Sequence, residues 1–328
     1  MMNVTMENIT MDYLQKGETK ITVLDSKGNV DDFYGWALHN KSEIEKLVLQ
    51  YGGVLFRNFN VSSIDLFEKF STIFTPELEK YKERSTPRSE VKGNVYTSTE
   101  YPEDQHIAMH NENSYAHVWA QKIFFHCVQP SEVGGETPIA DSRAILNQLN
   151  PDLKDKFATK QVLYQRNIGG NLDLPWEEVF QTNSKQEVEE YCSNAGINIE
   201  WFSDGRLRTK AIRPAVAKHP QTEEMVWFNQ AHLFHVTNLS PAIREYLVQT
   251  VGESNLPRNT YYGDGDTISD EDLQEIRNVY DEHSLAFPWE KGDVLMLDNM
   301  LMAHGRRPYK GARKIVVTMG DLTSNYGI

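Results

Sequence analysis

The strand-like segments of this 328-residue chain are short, and the segments do not alternate regularly between strand and helix. Apolar runs of strand length lie at residues 123–128, 293–297 and 314–319, and turns rich in proline and glycine separate them from their neighbours. A doubly wound sheet needs repeated strand-helix-strand units, which this pattern lacks. The sequence therefore predicts a mainly β fold with flanking helices (α+β), built on a barrel or sandwich core.

The first 95 residues follow a different pattern, in which strand-like and helix-like segments alternate. Residues 20–25 and 54–59 are strand-like, whereas 42–51 and 63–73 carry apolar side chains at helical spacing. We therefore expect residues 1–95 to form αβ elements that pack on the core.

The middle of the chain has the composition of an insertion. Residues 161–210 contain paired glycines, a proline and an acidic helical stretch, which suits a long segment over a site. Such segments often act as lids. We expect 161–210 to form a lid, 96–141 and 211–328 to form the core, and residues 1–328 to make a single domain. Residues 270–287 are predicted as one helix.

Composition excludes several classes of partner. The formal net charge of −14 comes without a basic stripe, so nucleic acid is not expected to bind. Cys127 and Cys192 form no CxxC pair, which argues against a disulfide framework or a thiolate metal site. Residues 1–13 lack a basic leader and an apolar core, and no apolar run approaches membrane-spanning length. A cytoplasmic location is expected, with a small molecule as the partner.

His110 and Glu112 are candidate metal ligands, because residues two apart on a β-strand point to the same face. The H-x-E triplet alone is a weak signal. Zinc deaminases also use it, but they need a P-C-x-x-C element that this chain does not contain. The H-E-x-x-H motif of zinc proteases is absent as well.

His304 lies shortly after an apolar strand-like run, and Arg313 follows where the last strand begins. Two imidazoles and one carboxylate make the facial triad that holds Fe(II) and leaves three coordination positions open. An arginine beside such a site can clamp a carboxylate through two parallel hydrogen bonds. The alternative is a basic surface turn, because Arg306, Arg307 and Lys310 lie close by.

Seven segments, in order along the chain, together resemble the taurine dioxygenase (TauD/TfdA) superfamily. They span most of the sequence, and the joint match is more specific than any one of them. The segments are residues 51–57, 109–115, 134–138, 227–230, 262–265, 289–293 and 298–313.

The resemblance implies a single oxygenase domain with a double-stranded β-helix, or jelly roll, and dependence on Fe(II), 2-oxoglutarate and O2. By position, His110, Glu112 and His304 would be the iron ligands, while Thr137 and Arg313 would bind the distal carboxylate of 2-oxoglutarate. Glu112 makes the chain similar to the clavaminate-synthase-like and syringomycin-type hydroxylases. Related halogenases carry a small residue at that position, so halogenation is not expected.

The activity that the resemblance implies is hydroxylation of an unactivated C–H bond, with release of succinate and CO2. The expected substrate is an amino acid or an amino-acid-derived molecule of specialised metabolism, either free or tethered to a carrier protein. Two alternatives stay open from the sequence: a desaturase or cyclase of the same family, and a metal-free jelly-roll binding protein.

Several polar residues are candidates for contact with the substrate. Asn113 and Ser114 directly follow the H-x-E triplet, and Asn229 lies in the 227–230 segment. Packing or turn formation accounts for them equally well. Arg143 and Arg213 are candidate anchors for a substrate carboxylate, and surface ion pairs explain them equally well.

Overall fold

The computed structural model describes residues 9–76, 78, 90–92, 94–97, 101–170 and 173–324. The prediction about a leader concerns residues 1–13. Of these, residues 1–8 lie outside the described residues. The strands are β1 (Thr10–Lys16), β2 (Thr19–Asp25), β3 (Gly53–Arg57), β4 (Glu90–Lys92), β5 (Val95–Thr97), β6 (Ile107–His110), β7 (Val118–Gln129), β8 (Val133–Gly134), β9 (Ile139–Asp141), β10 (Val162–Ile168), β11 (Ile197–Trp201), β12 (Leu207–Arg213), β13 (Val216–Lys218), β14 (Met225–Trp227), β15 (Arg258–Tyr262), β16 (Val294–Asp298), β17 (Met302–Arg306), β18 (Tyr309–Lys310) and β19 (Lys314–Ser324). The helices are α1 (Phe33–His39), α2 (Lys41–Tyr51), α3 (Ile64–Phe74), α4 (Ser142–Gln148), α5 (Pro151–Lys160), α6 (Trp176–Phe180), α7 (Lys185–Asn194), α8 (Ala231–Phe234), α9 (Pro241–Val251) and α10 (Asp270–His283).

The main sheet has the strand order β1-β2-β3-β16-β7-β19-β5-β4. Its pairs are antiparallel except for β2 with β3, which run parallel. Every residue of β16 is buried, as expected for a continuously apolar strand with both faces covered. The runs predicted at residues 123–128 and 314–319 lie in this sheet, and so does the run at 293–297 except for its first residue, so those three predicted strands are confirmed.

A smaller layer faces the main sheet. Strand β17 pairs with β6 on one side and with β9 on the other, and β18 pairs with β8 nearby. Ile139 and Met302 of this layer pack in one apolar cluster with Phe125 and Leu297 of the main sheet. The combination of mixed sheets and surrounding helices confirms the predicted α+β class.

Helices α1 to α3 cover the other face of the main sheet. Their apolar sides meet it through aromatic contacts, such as the edge-to-face rings of Phe70 in α3 and Phe56 in β3, whose centroids lie 5.1 Å apart. Ser63 is the N-cap residue of α3, and its hydroxyl accepts a hydrogen bond from the backbone N–H of Leu66. An apolar cluster lies between these helices and the main sheet. Its buried aromatic side chains are Phe33, Trp36, Phe56, Phe59, Phe67, Phe70, Phe74 and Phe124.

The described part of residues 161–210 has regular structure. It supplies β10, β11, α6, α7 and the start of β12, and these strands join β15 in a sheet ordered β11-β12-β10-β15. Val179, Val188 and Cys192 of the two helices pack with Ile168 and Leu207 of that sheet.

Helix α10 ends at His283, four residues before the predicted end at residue 287. The backbone of Leu285 exchanges two hydrogen bonds of 2.8 Å with Ile139 of β9, which requires extended chain there. The predicted helix is therefore wrong at its end. None of the helices in the described residues is both long and apolar enough to cross a membrane.

Gly52 offers a test of how α2 is joined to β3. Its φ is +74°, and a Cβ placed there would lie 2.7 Å from the Met302 side chain of β17. Gly52→Ala should lower the free energy of unfolding by about 1 kcal/mol for the left-handed backbone and by about 1–3 kcal/mol more for the overlap. Urea denaturation followed by circular dichroism measures the loss.

The matched control is Gly28→Ala. Gly28 has a φ of +78° with nothing within 4 Å of the added Cβ, so only the backbone contribution applies. Equal losses in the two variants would show that Met302 moves aside without cost.

Candidate active site

The H-x-E pair lies where β6 ends. His110 is the last residue of the strand, and Glu112 belongs to the turn that follows. Asn113 has a φ of +56°, and its carbonyl accepts a hydrogen bond from the N–H of Ala116, which closes that turn. The sequence predicted that His110 and Glu112 lie on one strand and point to the same face. That prediction is wrong, because Glu112 lies in the turn after the strand.

His304 lies in the centre of β17, directly opposite His110 of β6. Side chains opposite each other on an antiparallel pair share one face of the sheet. Accordingly, the two imidazole centroids are only 4.5 Å apart, although 194 residues separate them in the sequence (304 − 110 = 194).

The three side chains converge on one point. The Oε2 atom of Glu112 lies 3.8 Å from the Nε2 of His110 and 3.7 Å from the Nε2 of His304. Ligand atoms that each bind one ion at about 2.1 Å are separated by about 3–4 Å, so these distances fit a bound metal. In the part of the chain that the structure describes, this is the one group of three His, Cys, Asp or Glu side chains whose ligand atoms all lie within 4.8 Å of one another.

The donor set also has the right chemistry. The Nδ1 of His110 lies 2.8 Å from the carbonyl oxygen of Ala108, so an Nδ1–H donated to that carbonyl leaves the Nε2 lone pair facing the site. Two neutral imidazoles with one carboxylate on a single side are the ligands that non-haem Fe(II) takes in oxygenases.

Asn299 holds the turn that carries Glu112. Its Oδ1 accepts a 2.7 Å hydrogen bond from the backbone N–H of Glu112, and its Nδ2 donates to the carbonyl oxygens of Glu112 and Ala120. The amide of Asn111 donates in return to the backbone oxygen of Asn299. Asn299 belongs to the segment 298–313 that carries part of the family resemblance, but nothing in the sequence pattern indicated this role.

A small cavity of about 30 Å³ adjoins the three ligands. Its wall includes Thr137 and Arg313 beside His110, Glu112 and His304, so the structure brings all five predicted residues together. Burial, and next the nearby Arg306 guanidinium, lower the pKa of Arg313 to about 10. Such a cation is stabilised by an anion placed beside it.

Thr137 is oriented by a residue that carried no assigned role in the sequence. The indole Nε1–H of Trp289 donates to the Thr137 hydroxyl at 3.1 Å. That hydroxyl has one proton of its own, which remains available to donate to a carboxylate in the small cavity. Arg306 also borders this cavity, but its guanidinium donates to the carbonyls of Tyr101, Pro102 and Gln105.

A larger cavity of about 510 Å³ lies on another side of the ligands. His110 and Glu112 border it, Gln230 and Phe234 form part of its wall, and helix α9 contributes Ile243. Its size is in the range of pockets that take small organic ligands. The apolar members of its wall include Tyr115, Leu233, Phe234, Val236, Leu239, Ile243, Leu247 and Leu256.

The candidate substrate residues lie near this cavity but are not among its described lining residues. Asn113 and Ser114 belong to the turn after Glu112 and are buried. The Asn229 amide is used structurally: Nδ2 donates to the carbonyl of Ala215, and Oδ1 accepts from the N–H of Ala231.

The two candidate carboxylate anchors are also engaged elsewhere. Arg143 forms ion pairs with Asp141 and Glu224. Arg213 is buried and donates to the backbone carbonyls of Tyr115, Ile212 and Ala195.

A family model described as taurine catabolism dioxygenase TauD, TfdA family, matches residues 20–319. The chain belongs to this family. DdaC, the dapdiamide synthesis protein of Enterobacter agglomerans, is 40% identical over 301 residues, which cover 92% of this chain and 90% of that protein. A clavaminate synthase-like protein of Arabidopsis thaliana is 28% identical, with 85% and 84% covered.

Solved structures agree on the fold. PvcB, described as an Fe, alpha-ketoglutarate dependent oxygenase from an isonitrile synthetic pathway, has a TM-score of 0.54 at 14% identity, covering 97% of this chain and 93% of that one. AAD-2 in complex with Mn(II) and N-oxalylglycine has a TM-score of 0.55 at 14% identity, covering 96% and 98%. As a TauD/TfdA family member with this triad, the chain is a 2-oxoglutarate-dependent dioxygenase that uses Fe(II).

Asn299→Ala tests whether the amide clamp positions the carboxylate ligand of this TauD-family enzyme. Removing a residue that orients a ligand typically weakens metal binding about 10–100-fold, and we expect that loss for Fe(II) or Mn(II). Calorimetric titration of the metal into the apoprotein measures the affinity. Asn299→Asp keeps the acceptor oxygen, so its metal affinity should lie between those of the wild type and Asn299→Ala.

Asn229→Ala is the control for that experiment. It also removes a fully buried amide that makes two hydrogen bonds to the backbone. That amide makes no hydrogen bond to Glu112. Both variants should lose stability, and only Asn299→Ala should lose metal affinity. An equal loss of metal affinity would mean that general destabilisation, and not the clamp, explains the effect.

Proposed function

We propose that this enzyme hydroxylates an unactivated C–H bond of an amino acid or an amino-acid-derived small molecule in specialised metabolism. The observation that carries the proposal is the joint position of the His110, Glu112 and His304 triad between two cavities. One cavity holds Thr137 and Arg313, and the other has the volume for an organic substrate.

The proposed core is a double-stranded β-helix. Support comes from the arrangement of a main sheet and a smaller layer around one apolar cluster, with the triad at the edge of the smaller layer. The lid remains a proposal as well: residues 161–210 contribute Asp173 to the wall of the larger cavity, which supports a part in covering the substrate.

In the proposed mechanism, different residues bind the metal, the co-substrate and the substrate. His110, Glu112 and His304 hold the iron on one side, and Arg313 with Thr137 binds the distal carboxylate of 2-oxoglutarate. With iron, 2-oxoglutarate and O2 bound, the centre supplies an oxidant strong enough to take hydrogen from an unactivated carbon, and 2-oxoglutarate leaves as succinate and CO2. The apolar wall of the larger cavity orients one C–H bond and excludes water.

The substrate class is inferred from a relative and from the cavity. DdaC is named for dapdiamide synthesis, which supports a role in specialised metabolism. We propose that the substrate is either free or tethered to a carrier protein. To find it, amino acids and their derivatives are screened for compounds that increase the release of succinate from 2-oxoglutarate. Mass analysis then separates the outcomes, because hydroxylation adds one oxygen atom whereas desaturation removes two hydrogen atoms.

Replacing His110, Glu112 or His304 by Ala should abolish Fe(II)-dependent formation of succinate from 2-oxoglutarate, because two ligands hold the metal poorly. Succinate is measured by chromatography and metal binding by calorimetry on the same samples. Normal turnover in any of the three variants would remove that residue from the ligand set.

Arg313→Ala should raise the apparent KM for 2-oxoglutarate by about 10–100-fold, because a charge-assisted pair contributes about 1.5–3 kcal/mol. The measurement is succinate formation against 2-oxoglutarate concentration. Arg307→Ala, an exposed neighbour outside both cavities, is the control and should leave the KM unchanged. An unchanged KM in Arg313→Ala would assign the carboxylate to another cation, with Arg306 the next to test.

A further inference from the structure

We propose that the side-chain carbonyl of Gln230 binds an N–H group of the substrate, so that the substrate is an amino-acid derivative whose nitrogen is acylated and uncharged. The proposal rests on the proposed function, because it names the substrate class of the same site. Gln230 is the N-cap residue of α8 and directly follows Asn229, the candidate whose amide is used structurally.

The side chain of Gln230 is buried, with a relative exposure of 2%, and lies in the wall of the larger cavity. Its backbone groups are used by the fold. The N–H donates to the Tyr164 hydroxyl, and the carbonyl oxygen accepts from the N–H groups of Leu233 and Phe234. A polar side chain that is held in this way in the wall of a cavity can fix the orientation of a ligand there.

The orientation of the Gln230 amide group follows from its hydrogen bond to Asn111. Its Nε2 donates to the backbone carbonyl oxygen of Asn111 at 2.7 Å. The reverse orientation would place two acceptor oxygens against each other. Oε1 therefore lies on the other side of the amide group, and none of the hydrogen bonds among the described residues uses it. A ligand that brings a donor to this buried acceptor removes the cost of leaving it unpaired.

The contact with Asn111 places this acceptor beside the metal site. Asn111 is the residue between the ligands His110 and Glu112. Its own amide donates to the backbone oxygen of Asn299, so the hydrogen bonds that hold the turn after β6 also hold Gln230. A substrate nitrogen bound at Oε1 therefore lies beside the metal, and the carbon that is hydroxylated is close to that nitrogen in the substrate.

The charges in the wall favour an uncharged N–H over an ammonium group. A buried ammonium needs a negatively charged partner, and the Oε1 of Gln230 is a neutral acceptor. Asp173 lies in the same wall, but its carboxylate accepts two hydrogen bonds of 2.6 and 3.0 Å from Arg166. Burial lowers the pKa of His235 in this wall to about 4, so that imidazole is neutral near pH 7 as well. An acylated nitrogen keeps one N–H and carries no charge.

The rest of the wall suits the side chain of an apolar amino acid. An acylated apolar amino acid thus matches both parts of the cavity, with its N–H at Gln230 and its hydrocarbon part against apolar side chains. The aliphatic residues of this wall are Leu233, Val236, Leu239, Ile243, Leu247 and Leu256.

The experiment uses pairs of probes that differ by one N–H group. Protein loaded with Mn(II) and N-oxalylglycine is titrated calorimetrically with N-acetyl-L-leucine methyl ester and with O-acetyl-L-leucic acid methyl ester, in which oxygen replaces that N–H. The corresponding pairs for the other apolar amino acids complete the set. In at least one pair, we expect the wild type to bind the N–H member about tenfold more tightly, because the O-acetyl member leaves a buried acceptor unpaired.

Gln230→Met removes the acceptor and keeps the length of the side chain. The preference for the N–H member should disappear, while the O-acetyl member should bind at least as tightly as it binds the wild type. That second result shows that the cavity is intact in the variant. Gln230→Glu keeps acceptor oxygens at this position and should retain the preference. Asn238→Met is the matched control, because Asn238 is another amide side chain in the wall of the same cavity, and it should also retain the preference.

The proposal is overturned if the two members of every pair bind equally, if the preference survives in Gln230→Met, if Asn238→Met loses it as well, or if no probe of the set binds. Tighter binding of L-leucine methyl ester, whose nitrogen is an ammonium group, than of its N-acetyl form would overturn the acylated class. Failure of the proposed function is seen separately, as a wild type that converts no 2-oxoglutarate to succinate.

Discussion

The pairing of β6 with β17 is the interaction on which the rest of the site depends. It sets His304 opposite His110, and a shift of one residue in this register would turn one of the two imidazoles to the other face of the sheet. Several contacts hold the register. Met302 packs into the apolar cluster below, and Asn299, just before β17, binds the backbone of Glu112 just after β6. The packing of the core therefore fixes the relative positions of the candidate metal ligands.

Much of this arrangement could be predicted from the sequence, because its signals are local. Apolar runs located the main strands, and the candidate ligands were predicted from their residue types and spacing together with the family resemblance. The turn that aims Glu112 was missed, because the left-handed backbone of Asn113 is stabilised by hydrogen bonds and not by a glycine. The end of α10 was missed for a similar reason: Leu285 pairs with Ile139, a contact between distant segments.

The substrate side was the least predictable part. Arg143 and Arg213 were candidate anchors for a substrate carboxylate, but their guanidiniums bind neighbouring acids and backbone carbonyls. Arg258 lines the larger cavity because β15 joins the sheet built by residues 162–213, and β-sheet partners of this kind are set by tertiary packing. A single sequence records the arginine but not its neighbours.

The two cavities of the site differ in the character of their walls. Burial and the nearby Arg306 guanidinium lower the pKa of Arg313 in the small cavity, and an anion placed beside it would offset the cost of burying its charge. The wall of the larger cavity consists mostly of apolar side chains, which suits the apolar part of an organic ligand. His110 and Glu112 border both cavities, so a ligand in either of them lies beside the same metal site.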